Sequence, residues 1–253
     1  MDFTLILPLL LGWLSGWLVN YLADVLPLAP KLYRPSCSAC QEKYTWSDYL
    51  LFQNCPECGN RRSLRTLLVQ AVMTVTPLLI WIFPTKLLPF PLAFILLIYL
   101  TIVFVIDIEH RVILHPVSLV GVVLGLGIGI FLRGQQSIIH GITSTLLGGL
   151  AGFGIMLLFY FIGILFVKQM SKRRGMPSDE VALGFGDVNL AGILGLLLGL
   201  QAIFASLFFA VVAGGLVSLI IMLGMLAAKK YKAFTAIPYA PFLILSAVYF
   251  LFF

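Results

Sequence analysis

Charge is scarce in this chain. Asp, Glu, Lys and Arg make up only 10% of its 253 residues, against 61% hydrophobic ones; ten residues are acidic and three are histidine. With a mean hydropathy of +1.08, that shortage excludes an ordinary soluble domain and a disordered, highly charged segment. Cysteine is absent outside residues 37–58, and His115 and His140 have no ligand partners at a recognisable spacing. A basic n-region is missing from the Met1-Asp-Phe start, and the run from Leu9 to Val19 shows no small-residue cleavage site, which favours a retained helix over a removed signal peptide. No fixed-period repeat or low-complexity run is found.

What is present is apolar length. Runs of about 17 to 25 residues are long enough to cross a bilayer, and they predict spans over 3–26, 64–83, 90–106, 113–132, 138–167, 185–200, 202–227 and 235–252. The sixth and seventh are divided only by Gln201. The expected fold is an all-α polytopic membrane protein of about eight transmembrane helices with a small zinc-ribbon-like cytoplasmic insert. Its parts are the first helix at 1–26, the insert at 27–65 and a seven-helix membrane domain at 66–253.

Basic residues orient the bundle. With the N-terminus outside, the cytoplasmic connections hold Lys31, Arg34, Lys43, Arg61, Arg62, Arg65, Arg111, Lys168, Lys172, Arg173, Arg174, Lys229, Lys230 and Lys232, which is 14 of the 16 Lys and Arg. Only Lys86 and Arg133 fall in outside turns, as the positive-inside rule requires. The net charge of +6 is therefore an orientation signal, aided by anionic membrane lipid, and no nucleic-acid partner is expected. Glycines such as Gly148, Gly149, Gly152 and the run from Gly192 to Gly199 are read as close helix packing.

The insert carries Cys37-Ser-Ala-Cys40 and, after 14 residues, Cys55-Pro-Glu-Cys58-Gly59. Each Cys-x-x-Cys turn aims two thiolates at one point, and two such turns complete a tetrahedral sulfur site of the kind zinc favours. A reducing cytoplasm disfavours disulfides, and an insert this small needs help to fold. The expected cofactor is a structural Zn2+ held by Cys37, Cys40, Cys55 and Cys58, with iron–sulfur ligation as the minor alternative.

Two acids stand at membrane depth, where a carboxylate is expensive. Asp107 ends the apolar run from Ile95 to Ile106, and Asp187 closes Leu183-Gly-Phe-Gly-Asp187. Both fall at cytoplasmic ends of predicted spans, so they can meet. Facing each other, they would share a proton: one takes a proton from water attacking a peptide carbonyl, and the other protonates the oxyanion or the leaving amine. Gly184 and Gly186 allow close backbone approach beside Asp187. The plainer alternative is that each Asp caps a helix or pairs with a neighbour such as Arg111. Glu109 and His110 are close enough to Asp107 to support it, or belong to a solvated turn. Asn20 and Asp24 either pack and cap or attract a basic substrate, and Pro238 and Pro241 bend the last span. From a different class, an ion- or proton-coupled transporter would use the same acids along a pathway, and a scaffold would bind substrates without cutting them.

These residues together resemble the type IV prepilin peptidases among the GxGD aspartyl proteases. The resemblance rests on Gly16-Trp-Leu-Val-Asn20 through Leu26-Pro27, the paired Cys-x-x-Cys insert, Ile106-Asp-Ile-Glu-His-Arg111, Glu180 through Leu183-Gly-Phe-Gly-Asp-Val-Asn-Leu190, and Ile237-Pro-Tyr-Ala-Pro-Phe242. It implies Asp107 and Asp187 as the catalytic pair. It also implies prepilin and pseudopilin substrates whose basic leader is removed, and products that supply type IV pili or type II secretion. Many such enzymes then methylate the new amino terminus from S-adenosylmethionine, the second cofactor the resemblance implies. The place it implies is the bacterial inner membrane, multi-pass, with the active site on the cytoplasmic side.

Overall fold

The computed structural model describes residues 3–28, 33–37, 39–135, 137–174, 183–228 and 238–253. Lys31, Glu180, Lys229, Lys230, Lys232 and Ile237, which entered the sequence reading, lie outside them. Eight helices are described: α1 (Phe3–Val25), α2 (Trp46–Leu50), α3 (Leu64–Ile82), α4 (Phe90–His110), α5 (His115–Arg133), α6 (Ile138–Arg174), α7 (Phe185–Ala227) and α8 (Ala240–Phe252). Among the described residues there is no strand, and Ser36 and Lys43 form one isolated antiparallel bridge. The protein is all-helical, and six helices, α1 and α3 to α7, are long and apolar enough to cross a membrane.

Two predicted spans fuse. Helix α7 runs 43 residues through both 185–200 and 202–227, and its interruption lies at Gly199 (φ 75°, ψ 178°), not at Gln201. Gln201 is an ordinary helical residue in backbone terms, whereas only glycine takes a positive φ without strain. The last span is shorter than expected: α8 has 13 residues, about 20 Å at 1.5 Å per residue.

The chain divides into two compact units, Met1–Ile106 and Asp107–Phe253. In the first, α1 packs on α3 through glycine. A Cβ at Gly12 would come within 2.5 Å of the Met73 carbonyl oxygen, and one at Gly16 within 2.6 Å of Gln70 Oε1. Gln70 Nε2 donates to the Trp13 carbonyl at 2.8 Å, so the contact also satisfies a polar group inside an apolar pair.

The second unit is built on the same principle, more densely. Any side chain at Gly148 would collide with the backbone of Gly195 and Gly199, and one at Gly152 with the Ala191 carbonyl. The glycines of α6 and α7 thus face each other, the packing role read from the sequence. Arg133, at the end of α5, completes the arrangement at the interruption. Its guanidinium donates to the carbonyls of Leu196 (2.5 Å) and Leu197 (2.9 Å) and to Thr145 Oγ1 (2.9 Å). The break at Gly199 frees the last carbonyls of the preceding helical segment, and a buried carbonyl without a donor is costly. Arg133 supplies the donors.

Candidate active site and metal centre

The cysteine insert folds as two equivalent turns. Cys37 N–H donates to the Glu42 carbonyl (2.8 Å) and Gln41 N–H to the Cys37 carbonyl (2.9 Å). Cys55 N–H donates to Asn60 (3.0 Å) and Gly59 N–H to Cys55 (2.9 Å) in the same pattern. The residue after each turn has a positive φ, Gln41 at 61° and Gly59 at 67°. This backbone reversal brings the thiols together: Cys37 Sγ lies 3.7 Å from Cys58 Sγ, and Cys40 Sγ 3.5 Å from Cys55 Sγ. All four ligand atoms fall within 4.8 Å of one another. Tetrahedral Zn–S bonds of about 2.3 Å require sulfurs about 3.8 Å apart, so the set fits a zinc ion, and these four cysteines can bind one.

Electrostatics agree. Backbone N–H groups of Cys40 and Ala39 hold Cys37 down to about 6. At Cys40 the Glu42 N–H pulls the same way, but burial and the neighbouring thiols outweigh it and push the group up to about 12. Sulfurs this crowded cannot all ionise until a cation joins them.

Around the sulfurs lie Tyr44, Tyr49 and the partly buried Tyr21. The Arg62 guanidinium sits over the rings of Tyr49 (4.1 Å) and Tyr44 (4.9 Å). Tyr49 Oη donates to Asp24 Oδ2 at 2.7 Å, and Arg65 pairs with the other Asp24 oxygen. Asn20 is also engaged, donating to the Thr66 carbonyl (3.2 Å) and accepting from Arg65 (3.3 Å). Both polar residues of the first-span motif therefore serve internal fixation, the packing role weighed from sequence.

The aspartates occupy the second unit. Asp107 lies on the last turn of α4, 4% exposed, and its Oδ2 is buried with no hydrogen-bond partner among the described residues. The helix stops just beyond it, where Arg111 takes φ 54° and donates its N–H to the Asp107 carbonyl at 2.9 Å. The Arg111 guanidinium is within electrostatic reach of the carboxylate. Glu109 and His110 are exposed on the same turn.

Asp187 lies in the first turn of α7, 9% exposed. Its carboxylate accepts backbone N–H groups from Gly184 and from Ala240, the first residue of α8, and it feels the charge of Asp107. The glycines before it act as the sequence suggests. A Cβ at Gly186 would press on Ile113 Cβ at 3.0 Å, and one at Gly184 would lie 3.4 Å from Asp187 Oδ2. Phe185 between them is held edge-on by Phe153 (6.4 Å) and Tyr160 (5.9 Å) of α6, which fixes the turn that presents the acid.

The structure thus gathers Asp107, Asp187, Gly184 and Gly186, and adds Tyr239 and Ala240 from the start of α8. The sequence reading took that segment as a bend at Pro238 and Pro241 and as part of the family resemblance, without giving Tyr239 a role of its own. The missed signal was an aromatic with a polar tip between two prolines at the opening of an apolar helix. His115 and His140 are exposed and take no part in the site.

Residues 94–219 match the family described as the type IV leader peptidase family. The match contains both aspartates and both glycines and stops short of the cysteine insert and Tyr239. No curated protein and no solved structure matches the chain. A peptidase family indicates a protease acting on a protein substrate, and it leaves the transporter reading of the two acids without support. This multi-pass, glycine-packed helical protein belongs to the type IV leader peptidase family.

Proposed function

We propose that the chain is a membrane aspartyl endopeptidase that removes the basic leader of prepilins or pseudopilins, with Asp107 and Asp187 as its catalytic pair. The observation that carries this reading is the placement of two buried carboxylates within electrostatic reach of each other. One has an oxygen with no hydrogen-bond partner among the described residues, and the other is held by backbone N–H groups at the start of α7 and of α8. Two such acids sharing one proton can activate water and protonate a leaving amine. Gly184 and Gly186 shape the turn at Asp187, and Glu109 and His110 border Asp107 on the side open to substrate.

A substrate with a basic leader followed at once by a long apolar helix would bring its scissile bond to the membrane interface. The excess of Lys and Arg in the expected cytoplasmic loops supports an interface on the inner face of a bacterial cytoplasmic membrane. In this reading residues 66–253 form the peptidase domain, and residues 27–65 a zinc-stabilised insert beside the first helix.

The test is incubation of the purified protein in nanodiscs with a model prepilin, reading the mass of the new amino terminus. Cleavage that disappears in Asp107→Asn and in Asp187→Asn supports the reading, and cleavage unchanged in both removes it. A parallel arm with S-adenosylmethionine asks whether a methyl group is then added. No added mass would confine the activity to the peptidase.

A further inference from the structure

Among the described side chains of the second unit, three buried polar atoms have no hydrogen-bond partner: Asp107 Oδ2, Ser118 Oγ and Tyr239 Oη. A buried hydroxyl left unpaired is costly and calls for an explanation. Tyr239 immediately precedes Ala240, whose N–H binds the Asp187 carboxylate, and its phenol lies within electrostatic reach of that carboxylate. Its ring is not free to wander. It packs against Phe242 at 6.3 Å between centroids, and its Cε2 would lie 3.1 Å from a Cβ built on Gly214. The result is a buried O–H donor within electrostatic reach of Asp187, with no acceptor among the described residues.

Resting on the aspartyl reading above, we propose that Tyr239 is a further catalytic residue, whose phenol donates a hydrogen bond to the carbonyl oxygen of the scissile peptide as that oxygen becomes negative. Water adds to the carbonyl carbon, one carboxylate of the pair takes the proton that water releases, and the π pair moves onto the carbonyl oxygen. Tyr239 stabilises that oxyanion and keeps its own proton. The tetrahedral intermediate then collapses: the carbonyl re-forms, the carbon–nitrogen bond breaks, and the other carboxyl gives its proton to the departing amine. The pair ends with the single proton it began with. A donor aimed at charge that exists only in the transition state raises kcat and leaves ground-state binding nearly unchanged.

The experiment is steady-state cleavage of a leader-bearing model substrate in nanodiscs by wild type, Tyr239→Phe and Gly214→Ala. Tyr239→Phe should lower kcat on the order of 10²-fold with little change in KM, the scale seen when one oxyanion donor is removed. Its Tm should hold or rise, because the lost hydroxyl had no partner to leave behind. A hydroxyethylene isostere of the scissile bond, whose hydroxyl stands where the oxyanion forms, should lose affinity by a similar factor. Gly214→Ala keeps the phenol but crowds its ring, and should give a smaller loss in kcat. The proposal fails if Tyr239→Phe keeps kcat within about threefold of wild type while Asp107→Asn and Asp187→Asn are inactive. It also fails if the loss appears in KM or follows a drop in Tm. If instead both Asn variants cleave as wild type does, the aspartyl reading falls and this inference with it.

Discussion

The two units bury acids in opposite ways. In the first, Asp24 is fully engaged: Arg65 pairs with one carboxylate oxygen and Tyr49 donates to the other. In the second, Asp107 keeps an oxygen with no hydrogen-bond partner among the described residues, Arg111 reaches it only through its charge, and Asp187 feels backbone N–H groups and the charge of Asp107. A neutralised acid contributes to folding and has nothing left to offer a reactant. An acid left open is a cost to folding that makes sense where chemistry needs the free oxygen. The residue type is the same, and its partners separate structure from reactivity.

The comparison can be broken most severely at the metal. Stripping zinc with a chelator, or replacing Cys37 and Cys55 by Ser, removes a contribution that reaches about 10 kcal/mol or more in small structural zinc sites. The insert should unfold and become protease-sensitive, while far-ultraviolet circular dichroism retains most of the helix. Metal analysis should find one zinc per wild-type chain, and a value near zero in a folded sample would remove the four-cysteine site.

Next in size is the acid pair itself. Asp107→Asn or Asp187→Asn should reduce cleavage by about 10²–10⁴-fold, the usual contribution of a positioned acid or base. Stability should not fall with it, since an amide is cheaper to bury than a carboxylate without a counter-ion. Unfolding by a denaturant series in detergent checks this, and a loss of stability matching the loss of activity would mean that the acids are structural.

A purely steric change should separate scaffold from chemistry. Gly152→Val places side-chain atoms where the α7 backbone at Ala191 already lies, so α6 and α7 must part. A destabilisation of about 1–3 kcal/mol or more is expected, read as a lower Tm, with residual activity tracking the folded fraction. The smallest effect belongs to Asp24→Ala. Asp24 and Arg65 are each about one-fifth exposed, so the cost should be about 1–2 kcal/mol, below that of breaking a fully buried pair. Cleavage per folded molecule should stay at the wild-type rate. A selective fall in cleavage would show instead that Asp24 meets the substrate.

Much of this was legible in the residues. Cys37, Cys40, Cys55 and Cys58 announce their site because ligand spacing is a local property, and Asp107 and Asp187 stand out because charge is rare in apolar runs. The helical spans follow from length alone. The break in α7 was misplaced because a polar residue, Gln201, looks like an end, whereas the backbone breaks at a glycine hidden among several others. Tyr239 was passed over because its meaning depends on the nearness of Gly214 and on the charge of Asp187, both distant in sequence. Asp24 remained ambiguous for the same reason, since its partner Arg65 is 41 residues away.

The arginine at the α7 interruption has a consequence for the acid at the segment's other end. Residues 185–198 form a rod of about 21 Å, and the aligned peptide groups of such a rod leave a partial positive charge at its start and a partial negative one at its finish. Asp187 occupies the first turn and the Arg133 guanidinium covers the last carbonyls. The rod is terminated at each pole by a group of the complementary sign, each worth roughly 0.3–2 kcal/mol in such positions. A dipole closed in this way is cheaper to sink into a low-dielectric bundle, which helps an acid to stand in the first turn of a segment that is buried from Leu190 to Leu198.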